Sequence, residues 1–232
     1  MQRFNVLPIL AVASALLLQS GCKTDASKQY ANTNAPVPVQ PQPTAAPSAG
    51  RPVIVCFGNS LTAGYGTDPG QSYPDYLQQR LDDAGFHYRV ANAGVSGNTT
   101  KDGLNRVARV IAQQPELVVV EFGGNDGLRG LKLEQTQQNL ASIIEQLQAS
   151  GTKVALAGIT LPPDYGPDYI AKFNAMYPTL AKRYHVPLLP FLLQDVYGVA
   201  GDIQEDNTHA TAKGNQQVAV NVEKLIEPLL KR

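Results

Sequence analysis

Between residues 51 and 232, short continuous apolar runs alternate with longer stretches in which apolar residues recur every three or four positions. The runs are Pro52–Phe57, Tyr88–Ala91, Leu117–Phe122, Val154–Ala157 and Val186–Leu189. They are rich in Val, Ile and Leu and lack strict alternation, so they read as strands covered on both faces, as in a parallel sheet. The amphipathic stretches predict helices over Tyr73–Ala84, capped by Ser72, and over Asp102–Gln113, after Thr99 and Thr100. Three more follow over Leu133–Gln148, which ends before Gly151, then Pro167–Tyr184 and Ala212–Leu230. Strand–helix alternation of this kind gives an α/β fold, a three-layer α/β/α sandwich with a central, mostly parallel five-stranded sheet and right-handed crossovers. In such sheets ligands bind at the carboxyl ends of the strands, so the loops that follow strands are where chemistry is expected.

The first fifty residues follow a different pattern. Arg3 precedes an apolar run from Val6 to Leu18, with small residues at Ser20 and Gly21, which is the anatomy of a secretory signal over residues 1–21. The run is shorter than the ~20 apolar residues a membrane span needs. Ser20-Gly21-Cys22 resembles a bacterial lipobox, in which the cysteine is lipidated and becomes the first residue of the mature chain. Gln19 stands where that motif usually has Leu, and Leu18 lies one place earlier. Cys22 is therefore expected to carry a lipid anchor in the cell envelope, with simple cleavage and export as the alternative. Pro36, Pro38, Pro41, Pro43 and Pro47 then make residues 22–50 an extended tether that cannot build a core.

Composition narrows the function classes. The 232 residues carry 19 basic and 19 acidic side chains, so no basic face is available for nucleic acid. Three of the basic residues (Arg3, Lys23, Lys28) but one acidic residue (Asp25) precede the globular part, which is therefore slightly acidic. Besides Cys22 the only cysteine is Cys56, inside an apolar run, so it reads as a small core residue and no disulfide framework is expected. No CxxC or HExxH spacing points to a metal, and no cofactor is expected.

Four loops after predicted strands hold the polar residues that stand out. Gly58-Asn59-Ser60-Leu61-Thr62-Ala63-Gly64 puts a serine on a tight turn after a buried strand, although Thr62 breaks the G-x-S-x-G elbow. Asn92-Ala93-Gly94-Val95-Ser96-Gly97-Asn98 offers Gly94, whose backbone N–H could approach a ligand closely. Gly123-Gly124-Asn125-Asp126-Gly127 offers a side-chain N–H on Asn125. The fourth, Asp206-Asn207-Thr208-His209, contains one of three histidines; His87 and His185 read as packing or surface residues, and only His209 has a carboxylate three positions earlier. Each loop taken alone is compatible with an ordinary turn or cap. Together they offer a nucleophile, anion donors, a base and an acid to orient it.

These four blocks, in this order across residues 51–230, resemble the SGNH, or GDSL, hydrolase family. Glu121 to Gly130 resembles the bacterial branch of periplasmic thioesterases, lysophospholipases and arylesterases. The resemblance implies a flavodoxin-like fold with Ser60 as nucleophile, His209 as general base and Asp206 as its partner. It implies an oxyanion hole made of the Ser60 N–H, the Gly94 N–H and the Asn125 side chain. Asn59 replaces the family's usual Asp, and Ala210 replaces the proline that often follows the histidine; neither change removes a catalytic group. The expected substrate is a small ester or thioester, with specificity in Gly127–Leu131 and Ile159–Tyr169, and a monomer is expected. The alternatives are a carbohydrate O-acetylesterase on the same fold and a non-catalytic ligand-binding lipoprotein.

Overall fold

The computed structural model describes residues 50–232; the expected signal, Cys22 and the proline-rich tether lie outside the described residues. Five strands form one sheet in the order β2-β1-β3-β4-β5, parallel throughout. They are β1 (Val53–Gly58), β2 (Arg89–Gly94), β3 (Leu117–Glu121), β4 (Lys153–Ala157) and β5 (Leu188–Leu189). The central strands β1 and β3 are apolar on both faces because both faces are covered, and every residue of β3 is buried. The outer strands depart from prediction. β2 starts one residue later and runs to Gly94, half-buried along most of its length, while β5 keeps only two residues.

The helices are α1 (Ser60–Ala63), α2 (Tyr73–Asp83), α3 (Thr100–Ile111), α4 (Gly124–Leu128), α5 (Leu133–Ala149), α6 (Pro167–Tyr184) and α7 (Ala212–Ile226). Local chemistry sets several ends. Asp75 accepts from the Ser72 N–H at 3.0 Å, and Asp102 accepts from the Thr99 N–H at 2.9 Å, so capping boxes open α2 and α3. The second cap starts α3 two residues before the predicted Asp102. Pro228, which lacks an N–H, stops α7 at Ile226 and leaves a 3₁₀ turn over Glu227–Leu229.

Strand order and handedness then distribute the helices. The β1-to-β2 connection runs one way along the sheet, and the later connections run the other. Right-handed crossovers therefore put α2 on one face and α3, α5 and α6 on the opposite face. α7 returns to pack on α2, where Arg80 Nε donates to Glu223 across 2.5 Å. The sheet reverses its order between β1 and β3, and at that switch point the loops after the two strands diverge and leave a crevice.

Candidate active site

The turn after β1 is built around a buried carboxyl. Glu121, the last residue of β3, is fully buried and accepts from Asn59 Nδ2 at 2.8 Å, the Asn59 N–H at 3.2 Å and Thr62 Oγ1 at 3.0 Å. Asn59 is also the N-cap of α1, its Oδ1 accepting from the Leu61 N–H at 3.0 Å. Position 58 admits only glycine, since a Cβ there would lie 2.1 Å from Thr62 Oγ1 and 2.5 Å from Glu121 Oε2. The result is a rigid turn with Ser60 as the first residue of α1. The Ser60 N–H has no acceptor among the described residues. Arg106 braces the same turn, its guanidinium donating to Gly58 O at 2.7 Å, Ala93 O at 2.8 Å and Asn98 Oδ1 at 2.8 Å. It stacks over the Phe57 ring at 4.4 Å.

Burial pushes the Glu121 carboxyl up to about 7, against the pull of its Asn59 and Thr62 donors. The unfolded chain loses this proton near the ordinary glutamate pKa, so between the two values the folded state holds more protons. The stability this confers is present below the unfolded pKa and is lost as pH rises through about 7. Between pH 5 and pH 8, wild type should lose roughly 2–3 kcal/mol more unfolding free energy than Glu121→Gln. Urea titrations at the two pH values measure this; parallel losses would refute the assignment.

The fourth loop lies against the serine. His209 Nε2 is 2.8 Å from Ser60 Oγ, and His209 Nδ1 is 2.6 Å from Asp206 Oδ2. Asp206 Oδ1 accepts from the backbone N–H groups of Thr208 (2.9 Å) and His209 (3.0 Å). Burial works to raise the Asp206 pKa, but the His209 ring and these two N–H groups outweigh it and hold the carboxyl below its usual range. A carboxylate only accepts, so it fixes the imidazole proton on Nδ1 and leaves Nε2 as an acceptor toward the serine hydroxyl. The Tyr65 ring covers the imidazole at 4.7 Å between centroids. His87 and His185 are exposed, and His185 ends α6 in a left-handed conformation.

The second and third loops differ in outcome. Asn125 lies in α4 and borders the same cavity as Ser60 and His209. One of its two Nδ2 hydrogens goes to Asn98 O at 2.9 Å, which leaves the other for a ligand. Gly94, by contrast, does not present a free donor. Its N–H is taken by Asn92 Oδ1 at 2.9 Å, and a Cβ there would lie 2.2 Å from Ala63 N. The expectation for Gly94 is therefore corrected: the glycine lets α1 sit directly on β2. In that loop the N–H groups of Ser96 and Gly97 have no acceptor among the described residues, and Gly97 adjoins the Asn98 carbonyl that holds Asn125.

Beside Ser60, Asn125 and His209 opens a cavity of about 310 Å³ with a mostly apolar wall. Leu128 and the segment Ile159–Pro163 contribute to it, which is the inner part of the two stretches anticipated from sequence. Tyr165 and Tyr169 are not among its lining residues and stack on each other at 6.3 Å. Phe191, Leu193 and Tyr197, from the segment after β5, complete the wall and had no signal beyond their apolar character. Glu121 and Arg106 were also missed. A glutamate closing the apolar run Leu117–Phe122 was the one available hint.

A serine hydrogen-bonded to an imidazole–carboxylate pair, beside N–H donors at the switch point of a parallel α/β sheet, is the arrangement that acyl transfer needs. The chain belongs to the GDSL-like lipase/acylhydrolase family, whose model matches residues 56–217. It is a carboxylic ester hydrolase of that family. It is 44% identical over 178 residues to the esterase TesA of Pseudomonas aeruginosa, covering 76% of this chain and 89% of that one. It is 36% identical over 184 residues to thioesterase 1/protease 1/lysophospholipase L1 of Escherichia coli, covering 79% and 87%. The crystal structure of TesA superposes with a TM-score of 0.74 over 77% of this chain and 99% of that one.

Proposed function

We propose that this enzyme cleaves acyl esters or thioesters through an acyl-enzyme on Ser60. His209 Nε2 takes the hydroxyl proton as Oγ attacks the carbonyl carbon, and Asp206 stabilises the imidazolium that forms. The tetrahedral oxygen is held by the Ser60 N–H, the Asn125 side chain and the Gly97 N–H, which replaces Gly94 in this role. One such donor is typically worth ~10²–10³ in turnover. The imidazolium then gives its proton to the departing alcohol or thiol, and water, activated by the same His209, releases the acid. The observation that carries this reading is the continuous chain of contacts from Asp206 Oδ2 through His209 to Ser60 Oγ, at 2.6 and 2.8 Å.

The cavity supports an acyl chain or aromatic group as the occupant. Its wall is apolar, with Pro162 and Pro163 stiffening one side and Phe191 on another, and its volume exceeds what an acetyl group needs. A fluorophosphonate probe should label wild type at Ser60, as peptide mass spectrometry would locate. A p-nitrophenyl ester series should then favour chains longer than acetate. Absence of label on Ser60 would remove the acyl-enzyme from the mechanism, and a strict acetate preference would return the polysaccharide O-acetyl reading.

We also propose an envelope lipoprotein anchored through Cys22. The support is Ser20-Gly21-Cys22 at the end of an apolar run, followed by a proline-rich tether. Radiolabelled palmitate should enter wild type and not Cys22→Ala; equal labelling of both would end the claim.

A further inference from the structure

His209 and Asp206 lie on a loop whose residues 205–208 are all exposed, and Asn207 there has φ 55. Such a loop has few packed neighbours to fix the imidazole, yet His209 must meet Ser60 Oγ, 149 positions earlier in the chain, at hydrogen-bond distance. One side chain closes this gap. Gln204 Nε2 donates one hydrogen to Tyr65 O at 2.7 Å and the other to Ala210 O at 2.8 Å. Its own backbone N–H donates to His209 O at 2.8 Å, and the neighbouring Ile203 and Ala210 form an isolated antiparallel bridge. Tyr65 belongs to the nucleophile's side of the site: its N–H donates to Ser60 O at 3.1 Å, and its ring lies on the His209 ring.

We propose that Gln204 is a positioning residue that locks the His209 loop onto the Ser60 helix by bridging the Tyr65 and Ala210 carbonyls with a single amide nitrogen. The proposal rests on the hydrolytic reading of Ser60 and His209. An amide is suited to this position because it offers two hydrogens in one plane, whereas a carboxylate would set like partial charges against both carbonyls. Gln204 touches no reacting atom, so it acts on turnover through the distance and angle of the Ser60–His209 pair. Small errors in that geometry are costly, with a 1 Å misplacement reaching ~10²-fold in rate.

Two independent lesions reach the same bridge. Gln204→Met keeps the length and removes the amide. Gly66→Ala acts from the other side, since a Cβ at residue 66 would lie 2.2 Å from Gln204 Oε1 and must push the flexible side chain away, while the left-handed backbone there (φ 78) adds strain of its own. The experiment measures kcat and KM for p-nitrophenyl acetate on the full chain of wild type, both variants and the double variant. Each rate is divided by the sites titrated with a fluorophosphonate probe, so that unfolded molecules do not count. The expected result is a fall of about 10–100-fold in kcat per site in each single variant, with KM within about twofold. The double variant should lose less than the product of the two single losses, because both break the same contact. A per-site kcat within twofold of wild type in Gln204→Met would overturn the proposal. If Gln204→Met fails to fold, Gln204→Glu, which keeps the shape and removes both amide hydrogens, carries the same outcome. Failure of the hydrolytic reading itself looks different: wild type takes no label, Ser60→Ala keeps full turnover, and both claims fall together.

Discussion

Ser60→Ala is expected to bring turnover of p-nitrophenyl esters down by a factor of ~10⁴–10⁶, leaving what the anion donors and substrate positioning supply without a nucleophile. The loss should fall on kcat, with little change in substrate affinity, because the hydroxyl lies at the polar end of a largely apolar cavity. Folding should be unaffected. Ser60 opens a four-residue helix whose cap is Asn59, and the buried contacts of the turn run through Asn59, Thr62 and Glu121. Rates on purified protein, with a melting curve beside them, check both halves. Turnover above a hundredth of wild type would mean that the attacking group is not Ser60.

Asp206→Asn is expected to cost ~10⁴ in kcat although it changes one atom. In one amide orientation Nδ2 faces His209 Nδ1, so the imidazole must accept there and carry its proton on Nε2. That nitrogen then points a hydrogen at Ser60 Oγ and cannot take one. In the other orientation Nδ2 faces the Thr208 and His209 N–H groups, which now donate to the carboxylate at 2.9 and 3.0 Å, and the loop must open. Both outcomes disable the base. Because the stability held by Asp206 depends on its depressed pKa, it is present above the unfolded carboxyl pKa and lost as pH falls through the folded value. Protonating Asp206 also removes the acceptor that holds the imidazole proton on Nδ1, so through this carboxyl turnover should fall only below the ordinary carboxylate range. A kcat within tenfold of wild type in Asp206→Asn would show that tautomer control is not what the carboxylate provides.

What could be read from sequence followed from how local each signal is. β1 and β3 are central, so burial on both faces writes itself into unbroken apolar runs. β2 is an outer strand, and Asn92 in its second half hides its true end. α1 and α4 were legible only as turns, since helices of four and five residues with glycines at or near their ends have no periodicity to detect. Ser60 and Asn125 were legible because each follows a strand in a sheet whose ligand edge is fixed by topology, and His209 because it alone of three histidines has a carboxylate three positions earlier. Gly94 shows the limit of that argument. A glycine in a loop marks a place where a side chain would be in the way, but not whether the obstacle is a ligand or another helix. Glu121 shows another limit, since its partners Asn59 and Thr62 lie about sixty positions away and only the folded register brings them together.

The two halves of the site are held by different kinds of structure. Ser60 and Asn125 follow β1 and β3, which are hydrogen-bonded neighbours in the middle of the sheet. His209 and Asp206 share one exposed loop near the end of the chain. Separating the first two requires the sheet to come apart, which is global unfolding, whereas the second pair can swing away together while the sheet stays intact. Warming would therefore silence the enzyme before it melts, and cooling would restore it, because the acid and its base leave and return as one piece.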